Sequence, residues 1–195
     1  MIRLDHAENT LLKKIDQMSG ERVLDCYQCG KCTASCPVAL SMKIKPRQLM
    51  QYIKLGAEDL VLKANTSWFC LACATCGDRC PREINIPKVM EAVRHLAIRK
   101  HLDCPDPDAQ AIRQFHEIFL NMVNIYGRLF ELRLMAEFNI RTTYLFKDIF
   151  LAPQVLLRGK LALLPSSVIN VGAIQKMFDA SEKMEKAIAA KEEKR

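Results

Sequence analysis

The N-terminal part of the chain opens with apolar residues that recur every three or four positions, which is the spacing of an amphipathic helix. Asp5 and Glu8 resemble a capping box at the start of this segment, and Gly20 marks its end. Its apolar stripe consists of Leu11, Leu12, Ile15 and Met18. The pattern predicts a first helix that buries one face.

Three further segments in the N-terminal half have helical start and stop signals. A helix is predicted from Pro46 to a stop at Gly56, a short one over about 58–64, and another from Pro87. Their apolar faces contain Leu49, Met50, Ile53, Val89, Met90, Val93, Leu96 and Ala97. No segment alternates apolar and polar residues as a strand does, so an all-α fold is predicted.

The C-terminal part continues the helical spacing from Asp106 and Pro107. Its apolar seam consists of Ile112, Phe115, Phe119, Met122, Tyr126 and Leu129. This seam is expected to pack either within the chain or against a partner. We expect residues 145–173 to form irregular or short helical segments wrapped on a partner protein. We expect residues 174–195 to form a charged helical tail. We therefore expect a helical core at 1–105 and a helical extension at 106–195, used for packing and partner contact.

Composition and charge narrow the class of protein. The formal net charge of +7 counts every cysteine as neutral, and bound thiolates would lower it, so nucleic acid is not expected as a partner. Charged residues near the N-terminus interrupt any secretory signal. The longest apolar run, 149–157, is too short to span a bilayer. We expect a cytoplasmic protein with no membrane span.

Nine cysteines stand out in this otherwise ordinary composition, and eight of them form two copies of one motif. Residues 26–37 read CYQCGKCTASCP and residues 70–81 read CLACATCGDRCP. Both fit C-x2-C-x2-C-x3-C-P, the bacterial ferredoxin pattern that binds 4Fe–4S clusters. Short residues such as Gly30, Ala34, Ala72, Ala74 and Gly77 suit a loop wrapped closely around a cluster. The motifs predict two 4Fe–4S clusters.

The ferredoxin pattern also implies how the ligands are shared. In two-cluster ferredoxins the fourth cysteine of each run ligates the other cluster. If this chain follows that pattern, one cluster is bound by Cys26, Cys29, Cys32 and Cys80. The other takes Cys70, Cys73, Cys76 and Cys36. The alternative, two four-cysteine zinc sites, usually pairs C-x2-C knuckles across a spacer, so the spacing favours clusters.

The other signals of catalysis or cofactor binding are missing from the sequence. No two glycines form G-x-G, and no phosphate-binding loop is present. The four histidines, His6, His95, His101 and His116, have no ligand partner at a useful spacing and are interpreted as surface or helix-end residues. Cys104 stands alone and is interpreted as an inert thiol. No catalytic residue is predicted, which favours a role in electron transfer within a larger complex.

The residues that flank the cysteines carry a family resemblance. The stretches DCYQCGKCTASCPV (25–38), KPRQLMQYIKLG (45–56) and WFCLACATCGDRCPREINIPKVMEAVR (68–94) resemble the C-type subunit of heterodisulfide reductase, its small iron–sulfur protein. The resemblance implies a cytoplasmic hetero-oligomer with a flavin and iron–sulfur subunit, the A type, and a catalytic one, the B type. A hydrogenase or formate dehydrogenase would feed electrons to that assembly, which couples the reaction to ferredoxin reduction by flavin-based bifurcation in methanogens.

If the resemblance holds, this chain is a non-catalytic part of an oxidoreductase. It would relay electrons from the flavin subunit to the catalytic subunit, which reduces the heterodisulfide of coenzyme M and coenzyme B. Three alternatives remain open. One is the same role in a bacterial complex that acts on another disulfide. Another is the iron–sulfur subunit of a succinate or fumarate enzyme, although no room for its usual 2Fe–2S domain precedes Cys26. The third is a purely structural metal-binding module.

Overall fold

The computed structural model describes residues 9–142, 165 and 167–193, and these residues form helices joined by loops, with no strand among them. This confirms the predicted all-α fold. A single 3₁₀ turn, Val23–Asp25, precedes the first motif. The helices are α1 Thr10–Ser19, α2 Lys31–Ala34, α3 Pro46–Lys54, α4 Glu58–Leu62, α5 Thr66–Phe69, α6 Thr75–Asp78, α7 Ile86–Arg99, α8 Pro107–Tyr126, α9 Glu131–Thr142 and α10 Val171–Glu193.

Helix α1 begins one turn later than its capping signal suggested. Its N-cap is Asn9, whose side chain accepts a hydrogen bond from the Leu12 amide at 2.9 Å. The predicted capping box of Asp5 and Glu8 lies outside the described residues. The Asn9 side-chain amide also donates to the carbonyls of Ile53 and Lys54, both at 2.9 Å. One residue thus caps the start of α1 and binds the end of α3.

The predicted starts and apolar faces of α3 and α7 are confirmed. Pro46 and Pro87 lie in the first turns of these helices, where the missing amide hydrogen costs no bond. At the start of α7 the Asn85 side chain accepts from the Lys88 amide at 3.3 Å. All the apolar residues predicted for the two faces are buried: Leu49, Met50, Ile53, Val89, Met90, Val93, Leu96 and Ala97.

The core of the N-terminal part lies between α1, α3, α4 and α7. Ile15, Leu49 and Val93 are fully buried there, and burial of each such side chain contributes about 1.5–3 kcal/mol. Cys32 belongs to the same core, and Cys26, Cys70, Cys76 and Cys80 pack against it. The cysteine loops are therefore built onto the helical core.

Contacts divide the chain into two units, Met1–Ile112 and Arg113–Arg195. The first unit holds both cysteine motifs. The predicted domain division at residue 105 stays a prediction, as does the role of the extension in partner contact.

The second unit has its own small core, and it corrects part of the predicted seam of α8. Ile118 and Met122 of α8 are fully buried and pack with Leu134 of α9. Phe115 and Phe119, which the spacing placed in the same seam, stay 39% and 36% exposed. Ile118, which the predicted seam left out, joins Met122 on the buried side. The Phe115 ring also packs within the chain, at 5.9 Å between ring centroids from Phe138 of α9, although both phenylalanines stay partly exposed.

The C-terminal tail is helical, as predicted, and forms α10. The predicted irregular segment 145–173 lies outside the described residues, except for 165 and 167–173. Within the ranges that the structure describes, no helix combines the length and apolar character needed to cross a membrane.

Candidate iron–sulfur site

The two cysteine loops share one backbone conformation. In each, the second and fourth residues after the first cysteine have left-handed backbone, at Gln28 (φ 65°) and Gly30 (φ 82°), then at Ala72 (φ 51°) and Ala74 (φ 62°). A single helical turn, α2 or α6, follows and carries the third cysteine. Each left-handed residue other than glycine costs about 1–2 kcal/mol, so the surroundings must impose this path.

None of the eight motif cysteines forms a disulfide, and all of them lie at or near the surface of the core. Cys32 is buried, whereas Cys29 and Cys73, the second cysteines of the two motifs, are exposed. The remaining five are half-buried: Cys26, Cys36, Cys70, Cys76 and Cys80. Each motif thus spans from solvent into the core.

Four cysteines line a first cavity of about 320 Å³, measured out to the open solvent. They are Cys26, Cys29, Cys32 and Cys80. Three of them come from the first motif and the fourth from the second. Met50, Ile84 and Ile86 supply apolar wall, and Gln28, Lys31 and Arg47 supply the polar part of the lining.

The other four cysteines line a second cavity of about 400 Å³, also open to solvent. They are Cys36, Cys70, Cys73 and Cys76. Ile86 lines both cavities, and the α2 and α6 turns pack against each other, so the cavities are neighbours. The two linings group the cysteines as crossed ligation requires, while ligation itself stays a prediction.

Contacts between the two motifs hold the fourth cysteine of the second motif near the first cavity. Asp25, which precedes Cys26, lies 3.6 Å from the guanidinium of Arg82. Glu21 accepts a hydrogen bond from the Asn85 amide at 3.1 Å. These contacts join 21–25 to 82–85, on either side of the first cavity, and explain how residues distant in sequence meet there.

A long basic side chain reaches the first cysteine of each motif. The ammonium of Lys54, at the end of α3, donates to the Cys26 carbonyl at 3.0 Å. The guanidinium of Arg94, on α7, donates to the Ser67 carbonyl and reaches the Cys70 carbonyl at 3.5 Å. Each motif is thus anchored to a core helix at its first ligand position.

The thiols of the second cavity differ in their tendency to ionise. Burial raises the pKa of Cys76 to about 11, and the nearby Cys70 and Cys32 act in the same direction. Burial also raises the pKa of Cys70, against a hydrogen bond from the Ala72 amide. The pKa of Cys73 is lowered, because the Thr75 hydroxyl and amide hydrogen-bond to its sulfur. Cluster binding must therefore displace protons from buried thiols.

The donor sets fit iron–sulfur clusters. Each cavity offers four sulfur donors, the ligand set of a 4Fe–4S cluster, and amides of the loop point at the sulfurs of Cys70 and Cys73. A zinc ion would need four sulfurs at about 2.3 Å from a single point. Among the described residues, no group of three or more His, Cys, Asp and Glu side chains is arranged around such a point.

The structure adds contacts around the cysteines that the sequence pattern did not single out. Gln28, Lys54 and Arg94 each contact a motif cysteine. Of the three, only Gln28 lies inside a motif, where a long polar side chain between two cysteines is a signal that the sequence offers. Cys104 lies apart from both cavities and is buried with Trp68 and Ala109.

The described histidines, His95, His101 and His116, line neither cavity. His95 is exposed and lies 3.6 Å from Glu91 on the same helix. His101 and His116 are also exposed, and His6 lies outside the described residues. This agrees with their interpretation as surface or helix-end residues.

Comparison with known proteins gives one matching domain family and several curated relatives. The 4Fe-4S dicluster domain matches residues 22–84. The chain is 43% identical over 75 residues to the C-type iron-sulfur subunit of CoB–CoM heterodisulfide reductase from Methanopyrus kandleri, a match that covers 38% of this chain and 39% of the relative. It is 32% identical over 108 residues to the second C-type protein of that enzyme in Methanocaldococcus jannaschii, covering 51% and 58%.

A third relative is the C-type subunit of the H(2):CoB-CoM heterodisulfide,ferredoxin reductase of Methanothermobacter marburgensis, 30% identical over 105 residues. That match covers 54% of this chain and 57% of the relative. The chain thus spans about half the length of the curated relatives it matches. The match to the domain family includes all eight motif cysteines. Residues 22–84 therefore match the 4Fe-4S dicluster domain, and the chain is similar to the C-type iron–sulfur subunits of heterodisulfide reductase.

Proposed function

We propose that this chain is the electron-transfer subunit of an oxidoreductase complex of the heterodisulfide reductase type. The observation that carries the proposal is the pair of adjacent cavities, each lined by four cysteines drawn from both motifs. Two redox centres side by side form a path for electrons, whereas a structural metal site needs neither adjacency nor openness to solvent.

We assign one 4Fe–4S cluster to Cys26, Cys29, Cys32 and Cys80. The second is assigned to Cys36, Cys70, Cys73 and Cys76. When bound, such a cluster accepts and releases one electron at a time. The protein's own residues bind it through thiolates, cover it with the apolar side chains of Met50 and Met90, and keep the two sites on either side of Ile86.

The names of the relatives support a place in a multi-subunit complex. By that likeness, the chain takes electrons from a partner that carries flavin and iron–sulfur clusters and delivers them to a catalytic partner. The catalytic partner would reduce the heterodisulfide of coenzyme M and coenzyme B, in a cytoplasmic assembly fed by a hydrogenase or formate dehydrogenase. The chain supplies no catalytic residue of its own in this proposal.

The test is anaerobic purification of the chain with the proteins that bind it, followed by dye-driven reduction of the coenzyme M–coenzyme B heterodisulfide. Activity that needs this chain, and that falls when Cys70→Ser replaces the native chain in the reassembled complex, would support the proposal. The Cys104→Ser chain is the matched control and should restore full activity.

Other results would change the assignment. A flavin-containing complex that reduces a different disulfide would move the chain to the bacterial type of complex and keep its electron-transfer role. A partner that oxidises succinate or reduces fumarate would favour the other alternative. A colourless protein without iron would contradict the proposal.

A further inference from the structure

The two cavities differ in the charge of the side chains around them. Besides its four cysteines, the first cavity is lined by two cations, Lys31 and Arg47, and by the amide of Gln28. The described residues that line it include no carboxylate. The described lining of the second cavity holds no charged residue; its wall is apolar, with Val38, Met42 and Met90 among the side chains.

Hydrogen bonds add to the contrast at the first cysteine of each motif. In the first motif the Gln28 side-chain amide donates to the Cys26 sulfur at 3.4 Å. The corresponding residue in the second motif is Ala72, which has no side-chain donor. The Lys54 ammonium places a further positive charge on the Cys26 carbonyl, 3.0 Å away. The neighbouring Asp25 carboxylate is already paired with two arginines, each 3.6 Å away.

Near the cysteines of the second cavity there are fewer cations and hydrogen-bond donors, and one carboxylate is present. Arg94 reaches the Cys70 carbonyl at 3.5 Å, and the Thr75 hydroxyl lies 3.5 Å from the Cys73 sulfur. The Asp78 carboxylate acts on Cys73 as a like charge, and together with Glu83 it also lines a groove that includes Cys80 of the first cavity. Lys31 and Arg47 are thus the only charged side chains in the described linings of the two cavities, while Lys54 and Arg94 each reach the carbonyl of a first cysteine.

Reduction adds one negative charge to a cluster, so cations and N–H donors around it raise its reduction potential. We propose that Gln28, Lys31 and Arg47 give the first cavity the higher reduction potential of the two. One electron added to the protein then resides at the first cavity. This inference rests on the proposed function, because it requires a cluster in each cavity.

A higher reduction potential at the first cavity would direct electrons within the chain from the second cavity to the first. An electron delivered to the group held by Cys36, Cys70, Cys73 and Cys76 would pass to the group held by Cys26, Cys29, Cys32 and Cys80; the first of these groups would lose the one electron that the second gains. The electron donor would then approach the side of Cys73, and the acceptor the side of Cys29. Both of these cysteines are exposed, which leaves each cavity accessible to a partner.

The test is a redox titration of the anaerobically purified protein, in which dithionite supplies the electrons and paramagnetic resonance records each reduced cluster. The variant carries Lys31→Gln and Arg47→Gln. We expect the midpoint potential of the higher-potential wave to fall by about 59 mV. For a one-electron couple this is a tenfold change in the ratio of reduced to oxidised cluster. The other wave should move less.

Two further variants separate local charge from general effects. Lys63→Gln with Lys186→Gln removes the same charge from two exposed lysines that line neither cavity, and should leave both waves in place. In Gln28→Asn the new residue still accepts the left-handed backbone, but its shorter side chain moves the N–H donor away from the Cys26 sulfur. This variant should lower the midpoint potential of the same wave as the double variant.

The outcomes distinguish this inference from the function on which it rests. Two clusters with coincident potentials, or a shift that falls mainly on the wave of lower potential, would overturn the inference alone. A protein that binds no cluster would overturn both the inference and the proposed function.

Discussion

The guanidinium carbon of Arg94 lies 5.6 Å from the centre of the Trp68 ring, and its N–H groups donate to the carbonyl of Ser67 at 2.5 and 3.2 Å. Arg94 belongs to α7, whereas Ser67 and Trp68 belong to α5, the turn that leads into Cys70. One side chain thus ties the second motif to the core. Burial lowers the pKa of Arg94 from its usual value, and the nearby Cys70 acts in the opposite direction.

Replacing Arg94 should destabilise the first unit. Arg94→Met removes both hydrogen bonds to Ser67 and the contact between the cation and the Trp68 ring, and we expect a loss of about 2–3 kcal/mol. The measurement is the midpoint of anaerobic thermal unfolding. Glu91→Gln, an exposed change on the same helix, should alter stability by less than about 0.5 kcal/mol. Equal midpoints for the two variants would contradict this account.

Replacing Cys36 tests the crossed grouping of ligands. Cys36 belongs to the first motif but lines the second cavity with Cys70, Cys73 and Cys76. Cys36→Ser should therefore remove the cluster of the second cavity, lower the iron content by about half and leave the resonance signal of the first cluster. If the cluster bound by Cys26, Cys29 and Cys32 is lost instead, the ligands are not crossed.

Cys104 should be dispensable for both clusters. It is buried beside Trp68 and Ala109, and its carbonyl accepts from the Gln110 side chain at 2.9 Å. Burial raises the pKa of its thiol, which therefore stays protonated near neutral pH. Cys104→Ser should keep the full iron content and cost about 1 kcal/mol for placing a hydroxyl in an apolar pocket. A fall in iron content would show a role that the structure does not suggest.

Gly127 and Gly20 form a matched pair for testing the second unit. Both have left-handed backbone, at φ 74° and 71°. A methyl group at Gly20 would meet no atom within 4 Å, so Gly20→Ala should cost only the backbone strain, about 1–2 kcal/mol. At Gly127 the same group would lie 3.0 Å from Ile174 and 3.1 Å from Val168.

Gly127→Ala should therefore cost more than Gly20→Ala, because it adds steric overlap to the same backbone strain. Hydrogen exchange should show faster opening of α8 beyond residue 113 and of α9, while the iron content stays unchanged. Similar exchange in the two variants would mean that Val168 and Ile174 can move aside.

Local periodicity predicted the helices that build the core, including the Pro46 and Pro87 starts and the buried face of α7. It missed the short turns α2, α5 and α6, since four residues are too few to produce a periodic pattern. It also left Ile118 out of the seam of α8, although Ile118 is buried with Met122 while Phe115 and Phe119 at the same face stay partly exposed. Spacing alone does not say which side of a long helix meets its neighbour.

The sequence by itself predicted two sets of four cysteines, because the interval between cysteines within a motif is a local property of the chain, and the likeness to two-cluster ferredoxins predicted their crossed grouping. Only the tertiary structure showed Cys80 beside the first three cysteines in one cavity lining and Cys36 beside Cys70, Cys73 and Cys76 in the other. Cysteines 34 to 54 positions apart in the sequence meet through packing of α2 on α6 and the contact between Asp25 and Arg82. The same packing placed Lys31 and Arg47 at one cavity and apolar residues at the other, because side chains remote in sequence share a cavity only after the helices have packed.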